Sequence, residues 1–192
     1  MTKLRYRLHR SNTFAAVIVR NDDSKLLSRL GHDHVVRADE FTSTVAIDSD
    51  TPEELRFSLD FAVRSLVIDA DDDRRRVGLD GTVSEKDRRT TRKNMLAEGQ
   101  LHAEEFGNIG FRVDGARPDG KHWVMDATLS VQQTNFDFGF PVSVQFEPQL
   151  RVEGRVELSH QDLGLKPYRA PMGTLQNKEE LTFVVDVDAA PL

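Results

Sequence analysis

Two histidines separated by one residue form the clearest chemical motif of the sequence, Gly31-His32-Asp33-His34. Side chains two positions apart on an extended segment point to the same side, so His32 and His34 could place two imidazoles on one metal ion. A third ligand would have to come from His102, His122 or an acidic residue. The alternatives are that the motif hydrogen-bonds backbone groups at a bend, or that the histidines contact the head group of a ligand. The sequence predicts no metal and no cofactor, and a metal-binding protein or metal-dependent enzyme at this motif is the alternative function.

A cluster of basic side chains lies in a predicted helix that starts after Ser84 and continues to about Gly99. Serine is a common N-cap, and acidic residues follow it in the first turn. The cluster could bind an anionic head group such as pyrophosphate, or an anionic membrane surface. The alternative is a solvated helix face, because Glu85 can pair with Arg89 four residues later. The cluster consists of Arg88, Arg89, Arg92 and Lys93.

Signatures of other common functions are missing from the sequence. There are no cysteines, which excludes disulfides, thiolate zinc sites and cysteine nucleophiles. No serine lies in a nucleophile-elbow glycine pattern, and neither a phosphate-binding glycine loop nor a dinucleotide fingerprint occurs. A formal net charge of −6 argues against nucleic acid as a partner. These absences argue against a serine hydrolase and against a nucleotide-dependent enzyme.

The segment Leu55–Asp69 carries the most regular hydrophobic pattern of the chain. Apolar and polar residues alternate strictly in its first half, which predicts a half-buried strand. The alternation fails after Ser65, and we expect the strand to leave the sheet or to pass beneath the helix there. The apolar side of the strand consists of Leu55, Phe57, Leu59, Phe61 and Val63.

The remaining segments predict about eight strands and one helix in a single domain over residues 1–192. The last strand is expected at Leu181–Val187, a bend in the backbone near Gly31, and a solvated turn at the charge run Asp71–Arg76. Antiparallel strands with short connections imply an all-β sandwich or closed barrel. An eight-stranded barrel is wide enough for its own side chains or for one small ligand, and the helix would cap its mouth.

The apolar interior of this barrel is the main candidate site. Its large side chains either fill the core or surround a cavity, and the pattern alone leaves both open. A cavity would hold an apolar chain, with the two histidines at its polar end. The candidate ligand-binding residues are Phe57, Leu59, Phe61, Val63, Phe111, Phe136, Phe138, Phe140, Phe146, His32 and His34.

The order of several motifs resembles the YceI-like family. The motifs are Gly31–Val36 leading to Phe41, Leu59–Leu66, Asp87-Arg88 with Met95-Leu96, Phe106–Phe111, and Gln161–Leu165. The resemblance spans nearly the whole chain. It implies an extended eight-stranded antiparallel lipocalin-like barrel with one capping α-helix, which encloses a polyisoprenoid chain and performs no catalysis.

From these observations we expect binding, and transport or storage, of an isoprenoid-type lipid or a quinone tail. Contact with a membrane surface and assembly into a homodimer are further hypotheses. No signal-peptide core or membrane-spanning segment is found, which predicts a cytoplasmic protein, with an exported form whose signal was trimmed as the alternative.

Overall fold

The computed structural model describes residues 4–25, 31–47, 52–146 and 148–192. In these ranges the chain forms eleven β-strands and two α-helices, where the sequence predicted about eight strands and one helix. The strands are β1 Leu4–His9, β2 Thr13–Asn21, β3 His34–Arg37, β4 Thr42–Ile47, β5 Phe57–Ala62, β6 Val67–Ile68, β7 Asn108–Asp119, β8 His122–Val131, β9 Thr134–Gln145, β10 Leu150–Ser159 and β11 Asn177–Ala189. The helices are α1 Asp71–Arg76 and α2 Glu85–Leu96.

Nine of the strands form one curled antiparallel sheet in the order β5-β7-β8-β9-β10-β11-β2-β3-β6. Strands β1 and β4 form a separate pair. A bridge from Ala46 to Arg56 links this pair to the start of β5, and one from Tyr6 to Pro191 links it to the segment after β11. The mostly-β, lipocalin-like architecture is confirmed, whereas the count of eight strands is not. The single domain over residues 1–192 stays a prediction.

The alternating segment forms β5, and its apolar side faces the interior as predicted. Leu59 pairs with Phe111 of β7. The strand ends at Ala62, and the residues Val63–Ser65 form one turn of 3-10 helix. The chain then pairs with β3 as β6, at the opposite end of the strand order. The break in the alternation therefore marks the crossing of the chain from one edge of the sheet to the other.

This crossing segment passes beneath α2. The Arg92 guanidinium on the helix donates a hydrogen bond to the Leu66 carbonyl, at 2.7 Å. The helix starts where the sequence predicted, because the Ser84 hydroxyl accepts a hydrogen bond from the Asp87 backbone N–H. It ends at Leu96, short of Gly99. No helix in the described ranges has the length and hydropathy needed to cross a membrane.

The charge run Asp71–Arg76 forms α1, so the prediction of a solvated turn is wrong. Its three aspartates occupy the first turn and its three arginines the last, which complements the helix dipole. Asp73 and Arg74 are buried, and each has an ionic partner. Arg37 donates to the Asp73 carboxylate at 2.9 Å, and Arg74 donates to the Asp69 carboxylate at 3.0 Å. Arg74 also donates to three backbone carbonyls, those of Asp33, Asp80 and Gly81.

The segment around α1 covers the outer face of β2. Phe14 and Ile18 are 3% and 0% exposed and form an apolar cluster with Val35 and Leu79. The Arg76 guanidinium lies 4.4 Å from the centre of the Phe14 ring, a cation–π contact. The outer surface of the sheet is therefore buried here.

We expect Arg74→Met to lower the free energy of unfolding by about 3–5 kcal/mol, because it leaves the buried Asp69 without its cationic partner. The neighbouring Arg75, whose side chain is 69% exposed, provides the matched control. Arg75→Met should change the unfolding free energy by less than about 0.5 kcal/mol. Urea unfolding of both variants measures the difference, and equal effects would contradict this role for Arg74.

Candidate functional site

The interior of the curled sheet contains a cavity of about 500 Å³. This volume lies within the range of roughly 300–1,000 Å³ found for small-molecule sites. Ten of the eleven strands, α2 and the segment before β3 all contribute lining residues, and most of these are apolar. The predicted alternatives of a filled or a hollow barrel are therefore resolved in favour of a hollow one.

Strand β2 shows most directly that the interior is open. Its outward side chains Phe14 and Ile18 are buried, whereas Val17 and Val19, which line the cavity, are only half-buried. Val17 pairs with Phe183 of β11, which also lines the cavity and is also half-buried. These side chains stand on the inner face, so their accessible surface opens into the cavity. On this strand the outward side chains are therefore more deeply buried than the inward ones, the reverse of the usual order.

Aromatic rings form much of the cavity wall. The ring centroids of Phe57 and Phe111 are 6.1 Å apart, and those of Phe111 and Phe140 are 6.4 Å apart with nearly perpendicular planes. Trp123 and Phe146 make a similar edge-to-face contact at 6.5 Å. Such contacts stabilise aromatic side chains beyond their burial alone. They hold the wall in place without filling the interior.

Most of the predicted ligand-binding residues line the cavity. Val63 does not, because β5 has ended and this residue packs into the core from the 3-10 turn. Phe136 and Phe138 also do not line it, although both pack against the core clusters. The role of all these residues in binding stays a prediction. The predicted residues that do line the cavity are Phe57, Leu59, Phe61, Phe111, Phe140, Phe146, His32 and His34.

Several lining residues were missed by the sequence analysis. Val17, Val19 and Phe183 stand in strands that are covered on both faces, so alternation could not identify which face is the inner one. Trp123 and Met125 are two positions apart in β8 and therefore lie on the same face of the strand. This spacing could have identified both as residues of the inner face. Helix α2 contributes four polar side chains and Met95. The four are Asp87, Thr90, Thr91 and Asn94.

The mouth of the cavity lies between the histidine motif and α2. Among the lining residues in the described part of the chain, only His32 and Thr90 are exposed. The opposite end is closed by buried apolar side chains near the β1–β4 pair, including Leu8 and Ile47. The cavity thus has a polar, open end and an apolar, closed end. This arrangement suits a ligand with a polar head and an apolar chain.

The basic cluster of α2 does not line the cavity. Arg88 donates to the Val83 carbonyl and contacts Asp71, and Arg92 donates to the carbonyls of the crossing segment. Arg89 pairs with Glu85 at 3.2 Å, as the helical spacing predicted. Arg88 therefore connects α2 to α1, and Arg92 connects it to the crossing segment. Binding of an anionic head group by Arg88, Arg89, Arg92 and Lys93 stays a prediction. None of these four side chains lines the cavity.

The aspartate of the histidine motif binds the preceding strand. Asp33 accepts a hydrogen bond from the Asn21 backbone N–H at 2.8 Å and one from Arg20 at 3.0 Å. The bend near Gly31 thus involves backbone hydrogen bonding, one of the predicted alternatives. The rings of His32 and His34 are 6.4 Å apart. Across the described ranges, no three His, Asp or Glu side chains come together in a geometry that could hold a metal ion.

His34 is held by a buried carboxylate. Its Nδ1 lies 2.6 Å from Asp69 Oδ2, and Asp69 is completely buried. Burial raises the pKa of Asp69, but hydrogen bonds from His34, the Val35 backbone and Arg74 outweigh it, so the pKa lies below its ordinary value. Asp69 is therefore a carboxylate, and it fixes the orientation of His34 at the mouth.

Gly31 allows a close approach of three segments at the mouth. A Cβ atom at this position would lie 2.6 Å from Leu175 Cδ1 and 2.7 Å from Asn21 Oδ1. Close packing is therefore a sufficient reason for glycine at this position.

Solved structures show what the chain is similar to. Burkholderia cenocepacia BcnA has 10% identity and a TM-score of 0.67, with 93% of this chain and 96% of that chain covered. A Campylobacter jejuni YCEI protein has 10% identity and a TM-score of 0.54, with 81% and 83% covered. A polyisoprenoid binding domain from Saccharophagus degradans, implicated in plant cell wall breakdown, has 11% identity and a TM-score of 0.56, with 99% and 100% covered.

The chain has the fold of the YceI proteins, and at this level the resemblance noted in the sequence is confirmed. No family model matches the sequence, and no curated protein matches it either.

Gly31→Ala should destabilise the mouth by about 1–3 kcal/mol, because the added methyl group overlaps Leu175 and Asn21. Gly99 offers a matched control, since a Cβ atom there has no heavy atom within 4 Å and its backbone is not left-handed. Chemical unfolding measures both variants. Equal stability of Gly31→Ala and Gly99→Ala would mean that the mouth is not closely packed.

The contribution of Asp69 to stability should depend on pH. A lowered pKa in the folded protein means that the stabilisation is present above the ordinary value of about 3.9 and is lost as the pH falls through the folded-state pKa. The difference in unfolding free energy between the wild type and Asp69→Asn should be largest near neutral pH and should shrink below about pH 4. Exposed Asp72→Asn serves as the control, and a pH-independent difference for Asp69→Asn would contradict this account.

Proposed function

We propose that the protein binds one apolar chain of a lipid, such as an isoprenoid, in its interior cavity, and that it carries or stores that lipid. The observation that supports this most strongly is the accessible inner face of β2. Val17 and Val19 are open to the interior while Phe14 and Ile18 on the outer face are buried. An interior of this kind can remove a ligand's apolar surface from water, at roughly 0.8 kcal/mol for each methylene group.

The shape of the cavity favours a long ligand. Its lining residues on β11 run from Asn177 to Val187, a distance on the order of 30 Å at the usual rise of an extended strand. A volume of about 500 Å³ spread over such a length is narrow. A single unbranched or methyl-branched chain matches these dimensions better than a compact ring system does. The polar mouth would receive the head of the lipid.

The solved structures add support of a general kind. One neighbour, at 11% identity, is a polyisoprenoid binding domain. At such low identity the side chains around the cavity are this protein's own. The choice of an isoprenoid therefore rests on the length and the apolar wall of the cavity.

Binding is favoured over catalysis by the arrangement at the mouth. A metal-dependent reaction at His32 and His34 would need a third ligand, and the described residues bring none to this place. Membrane contact, a homodimer and a cytoplasmic location remain hypotheses.

Val17→Trp should block the cavity and test this proposal. The indole would project from β2 towards Val36 and Phe183, which face it across the neighbouring strands. We expect the affinity for a fluorescent polyprenyl chain to fall roughly tenfold or more, with the melting temperature kept or raised because the void is filled. Fluorescence titration and thermal unfolding measure the two effects.

Glu157→Trp on the exposed face of β10 is the matched control. It adds the same side chain outside the barrel, so uptake should equal that of the wild type. Unchanged uptake by a folded Val17→Trp protein would show that the chain binds elsewhere.

A further inference from the structure

The hydrogen bonds of Asp69 determine which nitrogen of His34 carries the hydrogen. Asp69 Oδ1 accepts from the Val35 backbone N–H and from Arg74, each at 3.0 Å, and Oδ2 lies 2.6 Å from His34 Nδ1. A carboxylate can only accept hydrogen bonds. The hydrogen between Oδ2 and Nδ1 must therefore belong to the imidazole.

The positive charge of Arg74 balances the negative charge of Asp69. Both side chains are buried, and Arg74 Nη1 lies 3.0 Å from Asp69 Oδ1. In a neutral imidazole with the hydrogen on Nδ1, the other nitrogen, Nε2, carries a lone pair and is an acceptor.

His34 presents this acceptor at the mouth of the cavity. Its side chain is 16% exposed, it lines the cavity, and its neighbour His32 is exposed there. Among the described residues, no hydrogen-bond donor reaches Nε2. An acceptor at the entrance of an apolar cavity is therefore available to whatever polar group terminates the bound chain.

The rest of the mouth disfavours an anionic head group. The Asp87 carboxylate lines the cavity at this end and accepts the Ser84 hydroxyl at 2.6 Å, without a cation beside it among the described contacts. The basic side chains of α2 lie outside the cavity lining, and Arg88 and Arg92 are held by the protein's own backbone carbonyls. A phosphate would therefore meet the His34 acceptor and the Asp87 carboxylate, both unfavourable for it. The donors among the lining residues nearby are Thr90, Thr91, Asn94 and the exposed His32, and none of the basic side chains of α2 joins them.

We infer that His34 selects a lipid whose polar end is a hydroxyl group, which donates its hydrogen to Nε2. The inference rests on the proposed function, since it concerns the head group of a chain held in the same cavity. It assigns a chemical class, a long-chain alcohol or phenol, and it assigns specificity to His34, with Asp69 as the residue that orients it.

A set of three ligands with one chain length tests the inference separately from the proposed function. The set is a polyprenol, its methyl ether and the corresponding polyprenyl phosphate. The ether retains the chain and the oxygen but lacks the donor. We expect the wild type to bind the alcohol roughly three- to tenfold more tightly than the ether, as one hydrogen bond predicts, and to bind the phosphate most weakly.

The variants His34→Phe and His32→Phe show whether the preference belongs to His34. The preference for alcohol over ether should fall to about one in His34→Phe and stay in His32→Phe. Equal, tight binding of alcohol and ether by the wild type would overturn the inference and leave the proposed function intact. Binding of the phosphate in preference to both would also overturn it, whereas failure of all three ligands to bind would overturn the proposed function itself.

A measurement on the unmodified protein covers the case in which His34→Phe does not fold. The ¹⁵N chemical shifts of a histidine ring distinguish a protonated nitrogen from one that carries a lone pair. We expect Nδ1 of His34 to be protonated and the Nε2 signal to move when the alcohol is added. A ring protonated at Nε2 near neutral pH, or an Nε2 signal that the alcohol leaves unchanged, would contradict the assignment.

Discussion

A single buried ion pair, between Arg74 and Asp69, joins the parts of the chain that close one side of the barrel. Arg74 binds the loop after α1 through two carbonyls and the histidine motif through a third. Asp69 binds β3 through the Val35 backbone and positions His34 at the mouth. Both groups are satisfied by several partners, which is the condition under which buried charge is tolerated. The mouth of the cavity and the cover over β2 therefore depend on the same contact.

The segment that covers β2 contributes to stability, because a hollow interior lacks the van der Waals contacts that a filled core would make. The protein compensates by burying apolar side chains elsewhere. One cluster, around Tyr6 and Val45, closes the end of the barrel under the β1–β4 pair, and another, around Ile18 and Leu79, lies outside β2. The sheet is thus stabilised at one end and on part of its outer surface. The space between these regions is left for a ligand.

The sequence predicted those features that depend on local pattern. The alternation of Leu55–Val63, the break at Ser65 and the cap at Ser84 all correspond to the structure. The charge run Asp71–Arg76 was misjudged, although acids in its first turn and arginines in its last are helix signals. A local pattern also could not show that Arg74 is buried, since its partner Asp69 and the carbonyls around it are brought together only by the fold. The inner face of β2 was missed for a related reason, because apolar residues occupy both of its faces.

The proposed function requires that the interior of the protein holds an apolar chain. Native mass spectrometry of freshly purified protein, followed by organic extraction of the bound material, tests this claim most directly. We expect a species that is heavier than the polypeptide by the mass of one lipid. Organic solvent should remove this extra mass, and an added polyprenol should restore it. A protein that has only the mass of its polypeptide, and that takes up no added polyprenol, would contradict the proposed function.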